Sequence, residues 1–505
     1  MSPPETRASG PRTPEPPAPG LSAPGLPESG VPQSGVPGPS APGTPAPPAD
    51  REPPRLSFLG TGYLGTTYAA CYAELGHQVI GLDVDPVKIA ALAAGQLPFH
   101  EPGLAELVRR GLDSGRLRFT TDPAVAAAGA DVHFLCVGTP QRADGGADLG
   151  QVAAAVRALA PHLHGRTLLV GKSTVPVGTA EWIERLLRKH VPDDADAEVA
   201  WCPEFLQEGH AVDDVLRPDR IVVGARGDWA RRTLDRVHRG VHELAAREGR
   251  EIPVLETDFA TAELVKTAAN AFLATKISFI NAMAELCEAA GADVARLAEA
   301  LGHDERIGPH FLRAGVGFGG GCLPKDIRAL QARAHQLGAG AAVRFLHEVD
   351  LINQRRRERV LQLAGELLDC VAGPAGPELT GTRIAVLGAT FKPDSDDVRD
   401  APALAVARLL HGAGAQVRVY DPLGGANARR SHPELGHAER LEQACAGADL
   451  VCVLTEWQEF READPAALAR LVNGRIVIDG RNCLDRSAWG AAGWTYRGLG
   501  WKEVA

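Results

Sequence analysis

Residues 315–326, GVGFGGGCLPKD, place a single thiol, Cys322, behind a run of glycines and directly before Pro-Lys-Asp. Pro324 suits the first turn of a helix, which the run IRALQARAHQLG continues, so Cys322 is expected at or just before a helix N-terminus. There the helix macrodipole and the nearby Lys325 would stabilise a thiolate and lower the pKa of the thiol. The glycines would leave the sulfur open to substrate, whereas a structural cysteine beside a tight turn would explain neither flank. The pattern therefore predicts a nucleophilic cysteine.

A second chemical motif lies near the start of the globular sequence. An apolar strand over 55–59 runs into GTGYLG (60–65), then a helix to about Gly76 and a second strand that ends at Asp83. The first glycine permits the tight turn, the second lets a pyrophosphate approach the backbone, and the third allows the helix to pack closely on the strand. Asp83 would accept a ribose diol and repel a 2′-phosphate, which favours NAD over NADP. The alternative interpretation of Asp83 is a cap for the helix PVKIAALAAG.

A dinucleotide site combined with a nucleophilic thiol indicates a particular reaction. Oxidation of an alcohol to an aldehyde needs hydride transfer and a base, and it needs no thiol. A thiol becomes useful in a second oxidation, in which it adds to the aldehyde, the thiohemiacetal loses a hydride, and water hydrolyses the resulting thioester. A two-electron hydroxyacid dehydrogenase would have no use for Cys322.

The elements that must position these residues are those of an α/β protein. Three further strand-and-turn units, 130–140, 167–179 and 198–209, end in small or polar residues, where open α/β sheets bind their ligands. Between about 256 and 300 the pattern changes to a long helical stretch whose apolar spacing suits burial on more than one face. Such a helix could join domains and subunits.

A Gly/Pro-rich break at 372–381 precedes a second strand-turn-helix-strand unit. Its turn, GATFKPD, lacks the pyrophosphate glycines and instead offers Lys392 and Arg399 to a phosphate-bearing ligand. The predicted fold is α/β, with two Rossmann-like doubly wound domains joined by a long central helical segment. The predicted divisions are a disordered Pro/Gly-rich tail (1–52), an NAD-binding domain (53–250), a central helical domain carrying the cysteine (251–371) and a second nucleotide-binding domain (372–505).

The composition excludes several classes of protein. A net charge of -10 argues against a nucleic-acid or anionic-membrane surface, and no apolar run is long enough for a membrane span. The tail is too rich in Pro, Gly, Ser and Ala to form a core and lacks the pattern of a secretory signal, so it is expected to be dispensable. The nine cysteines contain no CxxC and no metal-type spacing with His, which favours reduced thiols, no metal and a cytoplasmic location.

Seven motifs in order resemble those of the UDP-glucose/GDP-mannose dehydrogenase family, from about Arg55 to about Leu484. They are GTGYLG, CVGTP, KSTVPVGT, CPEFLQEG, VKTAANAFLATKISFIN, GVGFGGGCLPKD and GATFKPDSDDVRDAP. The resemblance implies an NAD-dependent four-electron oxidation of UDP-glucose to UDP-glucuronate that supplies polysaccharide synthesis. GDP-mannose or a UDP-N-acetylhexosamine is the alternative substrate, and a non-catalytic NAD and nucleotide-sugar binding protein is the alternative of another class. Gly321 and Leu323, where many members have Ser and Phe, depart from the family pattern.

The resemblance also implies roles for individual residues. Cys322 would be the nucleophile, Lys266 and Asn270 would face the sugar and stabilise oxyanions, and Asp326 would activate the hydrolytic water. Thr174 and Glu204 would hold a water in the proton-transfer path. The alternative interpretations are a helix-surface lysine for Lys266 and a solvated loop charge for Glu204 and Glu208.

The implied ligand contacts are more numerous. NAD would be bound by Gly60, Gly62, Tyr63, Leu64, Gly65, Asp83, Lys88, Thr139, Thr174, Glu208, Lys325 and Arg399. The UDP-sugar would be bound by Glu204, Phe205, Leu206, Glu208, Lys266, Asn270, Arg306, Phe311, Gly319, Lys392 and Arg481. Arg306 would reach the substrate of a neighbouring subunit, which implies a homodimer or a higher homo-oligomer.

Overall fold

A computed structural model describes residues 52–373 and 376–501. Apart from Glu52, the tail predicted over 1–52 lies outside the described residues. The strands are β1 Leu56–Leu59, β2 Val79–Leu82, β3 Leu117–Thr120, β4 Val132–Leu135, β5 Gly165–Gly171, β6 Ala195–Trp201, β7 Ile221–Ala225, β8 Val254–Thr257, β9 Ala372–Gly373, β10 Gly376–Pro377, β11 Arg383–Leu387, β12 Gln416–Tyr420, β13 Gly436–His437, β14 Leu450–Val453, β15 Ile476–Asp479 and β16 Thr495–Gly498.

Eighteen α-helices are described, and two short 3-10 turns cover Ala160–His162 and Gly340–Val343. The helices are α1 Tyr63–Glu74, α2 Pro86–Ala93, α3 Leu104–Asp113, α4 Pro123–Ala128, α5 Gly150–Leu159, α6 Thr179–Leu187, α7 Ala211–Leu216, α8 Asp228–Arg247, α9 Phe259–Ala290, α10 Val294–Gly302, α11 Leu323–Gln336, α12 Phe345–Leu367, α13 Pro402–Gly412, α14 Gly425–Ser431, α15 Leu441–Cys445, α16 Gln458–Arg461, α17 Pro465–Leu468 and α18 Arg486–Ala491. None of these helices is both long and apolar enough to cross a bilayer.

The first sheet has the order β3-β2-β1-β4-β5-β6-β7-β8, with all neighbours parallel except β6 and β7. Its central strands are buried on both faces, as their Val, Leu and Phe content predicts. Phe58 of β1 stacks on Phe134 of β4 with ring centroids 4.8 Å apart. The strand order reverses between these two strands, and ligands bind at such a switch point in open α/β sheets.

The second sheet repeats this plan with the order β13-β12-β11-β14-β15-β16 and only parallel pairs. Its switch point lies between β11 and β14. The two doubly wound sheets, with helices α9 to α12 between them in the chain, confirm the predicted fold class.

The sequence predicts the end of the first domain at 250, and the first sheet extends slightly beyond that position. Strand β8, which follows α8, pairs in parallel with β7. The first sheet therefore runs to Thr257. Helix α9 then begins at Phe259, with the Asp258 side chain capping it through the Thr261 N–H, and it ends at Gly291 in the left-handed conformation.

Candidate active site

The glycine-rich segment lies against the second nucleotide-type domain. Gly317 and Gly320 have φ of 94° and 84°, which disfavours any other residue there. A Cβ on Gly319 would overlap the carbonyl oxygen of Asp400. Gly319 therefore allows the glycine-rich segment to approach the backbone of Asp400 closely. Cys322 is the N-cap of α11, as expected, with Leu323 as its first residue and Pro324 as the second.

Two polar pairs from different elements meet near this thiol. On α9, Lys266 and Asn270 lie one turn apart and are 6% and 7% exposed, so the surface-lysine interpretation is wrong. The Asn270 Nδ2 donates to Asp326 Oδ2 at 2.7 Å, and the Lys266 Nζ lies 3.2 Å from Glu204 Oε1. Both the lysine and the asparagine therefore present their polar groups to carboxylates rather than to solvent.

The expected lowering of the Cys322 pKa is wrong for the protein without ligands. Cys322 keeps an exposed surface. Protein atoms nevertheless surround the sulfur closely, and this burial raises the pKa of the thiol to about 12. The carboxylates of Asp326 and Glu204 raise it further, and only the Lys266 ammonium among the main neighbours opposes them. Lys325, the cation expected beside the thiol, pairs with Asp326 at 2.7 Å instead.

The loop after β6 supplies the other carboxylates. The Leu206 N–H donates to Glu204 Oε2 at 2.5 Å, and the Phe205 ring lies between the Arg220 guanidinium, 3.8 Å from its centroid, and the Lys266 Nζ at 5.7 Å. The side chains of Glu204 and Glu208 are only 11% and 15% exposed. Both are held within the site, and the solvated-charge interpretation is wrong for both.

Glu208, in the first domain, accepts hydrogen bonds from residues of the second domain. Its carboxylate accepts from Ser395 Oγ at 2.9 Å and from Arg399 Nη2 at 3.3 Å. Burial raises the pKa of Glu208 to about 7; repulsion from Asp397 adds to this, and Arg399 opposes it. Arg399 also pairs with Asp397 at 2.7 Å, so its guanidinium is shared between carboxylates.

Two of the residues predicted to hold the UDP-sugar, Lys392 and Arg481, belong to the second nucleotide-type domain. Arg481 donates to the carbonyl oxygens of Leu454, Gly317 and Phe391 at 2.9, 2.9 and 3.1 Å. It therefore joins the switch point of the second sheet to the glycine-rich segment. Burial lowers the pKa of Lys392, which lies next to Phe391 on the same loop.

The glycine turn after β1 fits a dinucleotide. Gly60 has φ of 93°, and a Cβ on Gly65 would overlap the Gly60 carbonyl oxygen, whereas nothing lies within 4 Å of the Cβ position of Gly62. The first and third glycines are thus required by the protein itself, and the second leaves open space for a pyrophosphate. Leu64 packs on the core below this turn.

Asp83 lies beside this turn at the end of β2. Its Oδ2 accepts from the Thr61 N–H at 2.8 Å and from Lys88 Nζ at 2.9 Å. Asp85, and not Asp83, caps α2 through the N–H groups of Val87 and Lys88, so the cap interpretation of Asp83 is wrong. At the other edge of the switch point, Thr139 Oγ1 donates to the Thr174 carbonyl oxygen at 2.8 Å.

Two predicted substrate residues lie apart from this cluster. The Arg306 side chain is 89% exposed and, among the described residues, hydrogen-bonds only with Asp304. Phe311 adopts φ of 64°, an unusual conformation for an aromatic residue, in the segment between Arg306 and the glycines. Among the described residues, the Arg306 side chain therefore has no contact with the cluster around Cys322 in its own chain.

Sequence reasoning missed two carboxylates that shape the site. Glu101, 4% exposed, accepts from the N–H groups of Gly209 and Ala211 at 2.7 and 2.8 Å and from the Tyr63 hydroxyl, which ties the glycine turn to the Glu208 loop. Asp421 follows β12 as Asp83 follows β2, and it accepts from the Thr390 N–H at 3.0 Å. The position of Asp421 directly after a strand, which it shares with Asp83, could have revealed it, whereas no local signal marks Glu101.

Comparison with known proteins agrees with this arrangement. Three models of the UDP-glucose/GDP-mannose dehydrogenase family match: the NAD binding domain over 54–242, the central domain over 260–355 and the UDP binding domain over 385–486. UDP-glucose 6-dehydrogenase of Rhizobium meliloti is 42% identical over 449 residues, 88% of this chain and 99% of that protein. The Haloferax volcanii UDP-glucose 6-dehydrogenase AglM is 43% identical, over 85% of this chain and 97% of its own length.

A solved UDP-glucose dehydrogenase from Pyrobaculum islandicum superposes with a TM-score of 0.81 at 37% identity, covering 91% of this chain and 100% of that one. The family models cover both sheets and the central helices, and the relatives match over nearly their full length. The chain belongs to the UDP-glucose/GDP-mannose dehydrogenase family.

Proposed function

We propose that this chain catalyses the NAD-dependent oxidation of UDP-glucose to UDP-glucuronate, with Cys322 as the nucleophile. The observation that carries the proposal is the position of Cys322. It caps α11 between an NAD-type switch point and a second nucleotide-type sheet, and it faces the buried Lys266 ammonium. The reaction consumes two NAD+ and one water for each UDP-glucose and releases two NADH.

The first oxidation needs a group that stabilises an oxyanion at the sugar's 6-position. Burial alone would lower the pKa of Lys266, but Glu204 and the neighbouring acidic groups outweigh it, so the pKa is raised and the ammonium stays charged. A charged donor in a site with little water stabilises developing negative charge strongly. Asn270 would add a neutral donor beside it. The bound dinucleotide supplies the hydride acceptor.

The second oxidation begins when the Cys322 sulfur adds to the aldehyde carbon. Because burial raises the thiol pKa to about 12, the sulfur would lose its proton as the bond to carbon forms, and the water held by Thr174 and Glu204 would accept that proton. The Lys266 ammonium would stabilise the thiohemiacetal oxygen. Loss of a second hydride would leave a thioester, and water activated by Asp326 would hydrolyse it.

The alternatives differ in what they require of the site. A non-catalytic binding protein would need the two nucleotide sites but neither Cys322 nor the Asn270–Asp326 pair. The presence of these residues, which the four-electron oxidation requires, argues against that alternative. GDP-mannose or a UDP-N-acetylhexosamine would use the same chemistry. A solved UDP-D-ManNAc dehydrogenase from Pyrococcus horikoshii is less similar, with a TM-score of 0.75 at 27% identity over 88% of this chain and 99% of that one.

A screen of nucleotide sugars by NADH production tests this function. We expect UDP-glucose to give two NADH per molecule without free aldehyde, and to exceed GDP-mannose and UDP-N-acetylhexosamines in kcat/KM. Absence of NADH with every sugar would support the binding-protein alternative. A single NADH per sugar would contradict the proposed second oxidation.

Cofactor preference follows from Asp83. The carboxylate is held in place by Thr61 and Lys88, and a 2′-phosphate would meet its negative charge. We expect kcat/KM for NAD to exceed that for NADP by about two orders of magnitude or more. Asp83→Asn should narrow this ratio, whereas Asp85→Asn, which affects only the cap of α2, should leave it unchanged. Equal use of the two cofactors by the unaltered chain would contradict the assignment.

We also propose a homodimer built on α9. Four large apolar side chains are exposed along one side of this helix: Leu264, Phe272, Phe279 and Leu286, which are 42%, 67%, 47% and 59% exposed. Their spacing of seven or eight residues makes a continuous apolar stripe, which a monomer seldom leaves in water. A second copy of α9 would cover it and would explain why Arg306 lies away from its own chain's site.

The free state of all nine cysteines supports the proposed cytoplasmic location.

Light scattering tests the dimer. Phe272→Lys should yield a folded monomer, because a buried lysine would be left without a partner in the interface. Leu423→Lys, an exposed apolar residue of the second sheet's domain, should remain a dimer. Arg306→Ala should stay dimeric and show a higher KM for UDP-glucose. A monomeric unaltered chain would contradict the proposal.

A further inference from the structure

A small internal chamber lies behind the catalytic aspartate. It has a volume of about 20 Å³, and its lining includes Thr174, Thr267, Lys325, Asp326 and Leu330. A single water needs about 10–15 Å³ and two or more polar partners. The volume is sufficient, and the polar residues of a largely apolar lining are Thr174, Thr267, Lys325, Asp326 and Arg333. Asp326 itself is only 1% exposed. The chamber is thus a place where one water can contact a carboxylate that bulk solvent barely touches.

The chamber adjoins a larger pocket of about 210 Å³ that opens toward the surface. This outer pocket is formed by the loop around Gly146, the segment before α6, Trp182 in the first turn of α6, and the second half of α11. Five residues line both spaces: Ala147, Pro176, Val177, Ala329 and Arg333. These five residues separate the chamber from the outer pocket, and this shared wall is called the neck below.

Arg333 is the one long side chain of this neck. Its Nε donates to the Val177 carbonyl oxygen at 2.9 Å, and its Nη1 donates to Gln336 Oε1 at 3.1 Å. The guanidinium therefore lies across the neck from α11 to the segment before α6, where the other four residues are small or apolar. A side chain held only by these two contacts can swing aside without breaking a buried ion pair.

The proposed reaction needs a route of this kind. At the thioester stage the sugar is covalently attached to Cys322 and the cofactor fills its own site, so both ligands block the open cleft. One water must still enter for each turnover. Its oxygen bonds to the acyl carbon as the carbon–sulfur bond breaks; one proton returns to the sulfur, and the other leaves as the carboxylic acid ionises.

We infer that the outer pocket, the Arg333 neck and the chamber form a rear channel that brings water to Asp326 and carries the released proton to solvent. This inference rests on the proposed function. The chamber borders the dinucleotide site through Thr174 and Lys325, whereas the neck and the outer pocket contain no residue assigned to either ligand. Water could then reach the thioester before NADH or the sugar nucleotide leaves the cleft.

Plugging the neck tests the channel. Ala147→Leu and Ala329→Val enter it from opposite walls, and neither residue belongs to the catalytic or ligand-binding groups. Both variants should transfer the first hydride at a rate within about twofold of the unaltered chain, yet hydrolyse the thioester at least about tenfold more slowly. Stopped-flow NADH kinetics and mass spectrometry of acid-quenched enzyme would show an accumulated acyl-enzyme on Cys322. Ala332→Val, which faces only the outer pocket, is the matched control and should not accumulate it.

Widening the neck gives the opposite change. Arg333→Ala in the Ala147→Leu background should restore at least part of the hydrolysis rate. Hydrolysis at the original rate in both plugged variants would overturn the channel, as would an equal slowing of hydride transfer and hydrolysis. Failure of the unaltered chain to form NADH from UDP-glucose would instead refute the proposed function, so the two failures are distinguishable.

Discussion

Cys322→Ser is expected to reduce formation of UDP-glucuronate by about three to four orders of magnitude while leaving both ligand sites intact. The serine hydroxyl is a much weaker nucleophile than a thiol near neutral pH. The surroundings that raise the Cys322 pKa to about 12 would disfavour an alkoxide even more. Addition to the aldehyde should therefore fail, or lead to an oxygen ester that hydrolyses slowly.

The stoichiometry of NADH and the mass of the protein distinguish the steps. The unaltered chain should yield two NADH per UDP-glucose, whereas the serine variant should turn over barely at all and, supplied with the 6-aldehyde, should bind it without oxidising it efficiently. Cys370→Ser is the matched control, since this half-buried thiol lies after α12, donates a hydrogen bond to the Leu368 carbonyl oxygen and packs on the core of the second domain. A serine variant of near-normal rate would mean that Cys322 is structural.

The sequence predicted those parts of the site that depend on local pattern. A glycine turn between a strand and a helix has one common structure, so Gly60, Gly62 and Gly65 were placed correctly relative to β1 and α1. Lys266 and Asn270 share a helix face because four residues span about one turn. The N-cap position of Cys322 followed from the proline after it. These inferences need no knowledge of how distant segments pack.

The errors all concern contacts between distant segments. Lys325 is only three residues after Cys322 in sequence, but its ammonium pairs with Asp326, and the cation that faces the thiol is Lys266, from another helix. The desolvation that raises the thiol pKa also comes from packing, which no local motif reports. Glu101 holds the Glu208 loop across a long sequence separation. Local pattern thus predicts which groups are present, and packing decides their charge.

Lys266→Met should lower kcat by about two to three orders of magnitude, because it removes the charged donor at the developing oxyanion. It should also destabilise the protein, since it leaves Glu204 buried without its partner at 3.2 Å. Breaking a buried ion pair in this way costs about 3–5 kcal/mol of the free energy of unfolding. A loss of activity in this variant alone would therefore have two explanations, one catalytic and one structural.

The double variant Lys266→Met/Glu204→Gln, compared with Glu204→Gln alone, separates them, because Glu204 also has a proposed part in proton transfer. Neutralising the carboxylate removes the uncompensated buried charge, so the free energy of unfolding should return most of the way to that of the unaltered chain. The rate should stay low, because no ammonium remains to stabilise the oxyanion. Lys189→Met, at an exposed lysine beyond α6, should change neither quantity. Denaturant unfolding and single-turnover NADH kinetics measure the two effects. Recovery of both stability and rate in the double variant would mean that Lys266 serves only to hold Glu204, and that the oxyanion is stabilised by another group.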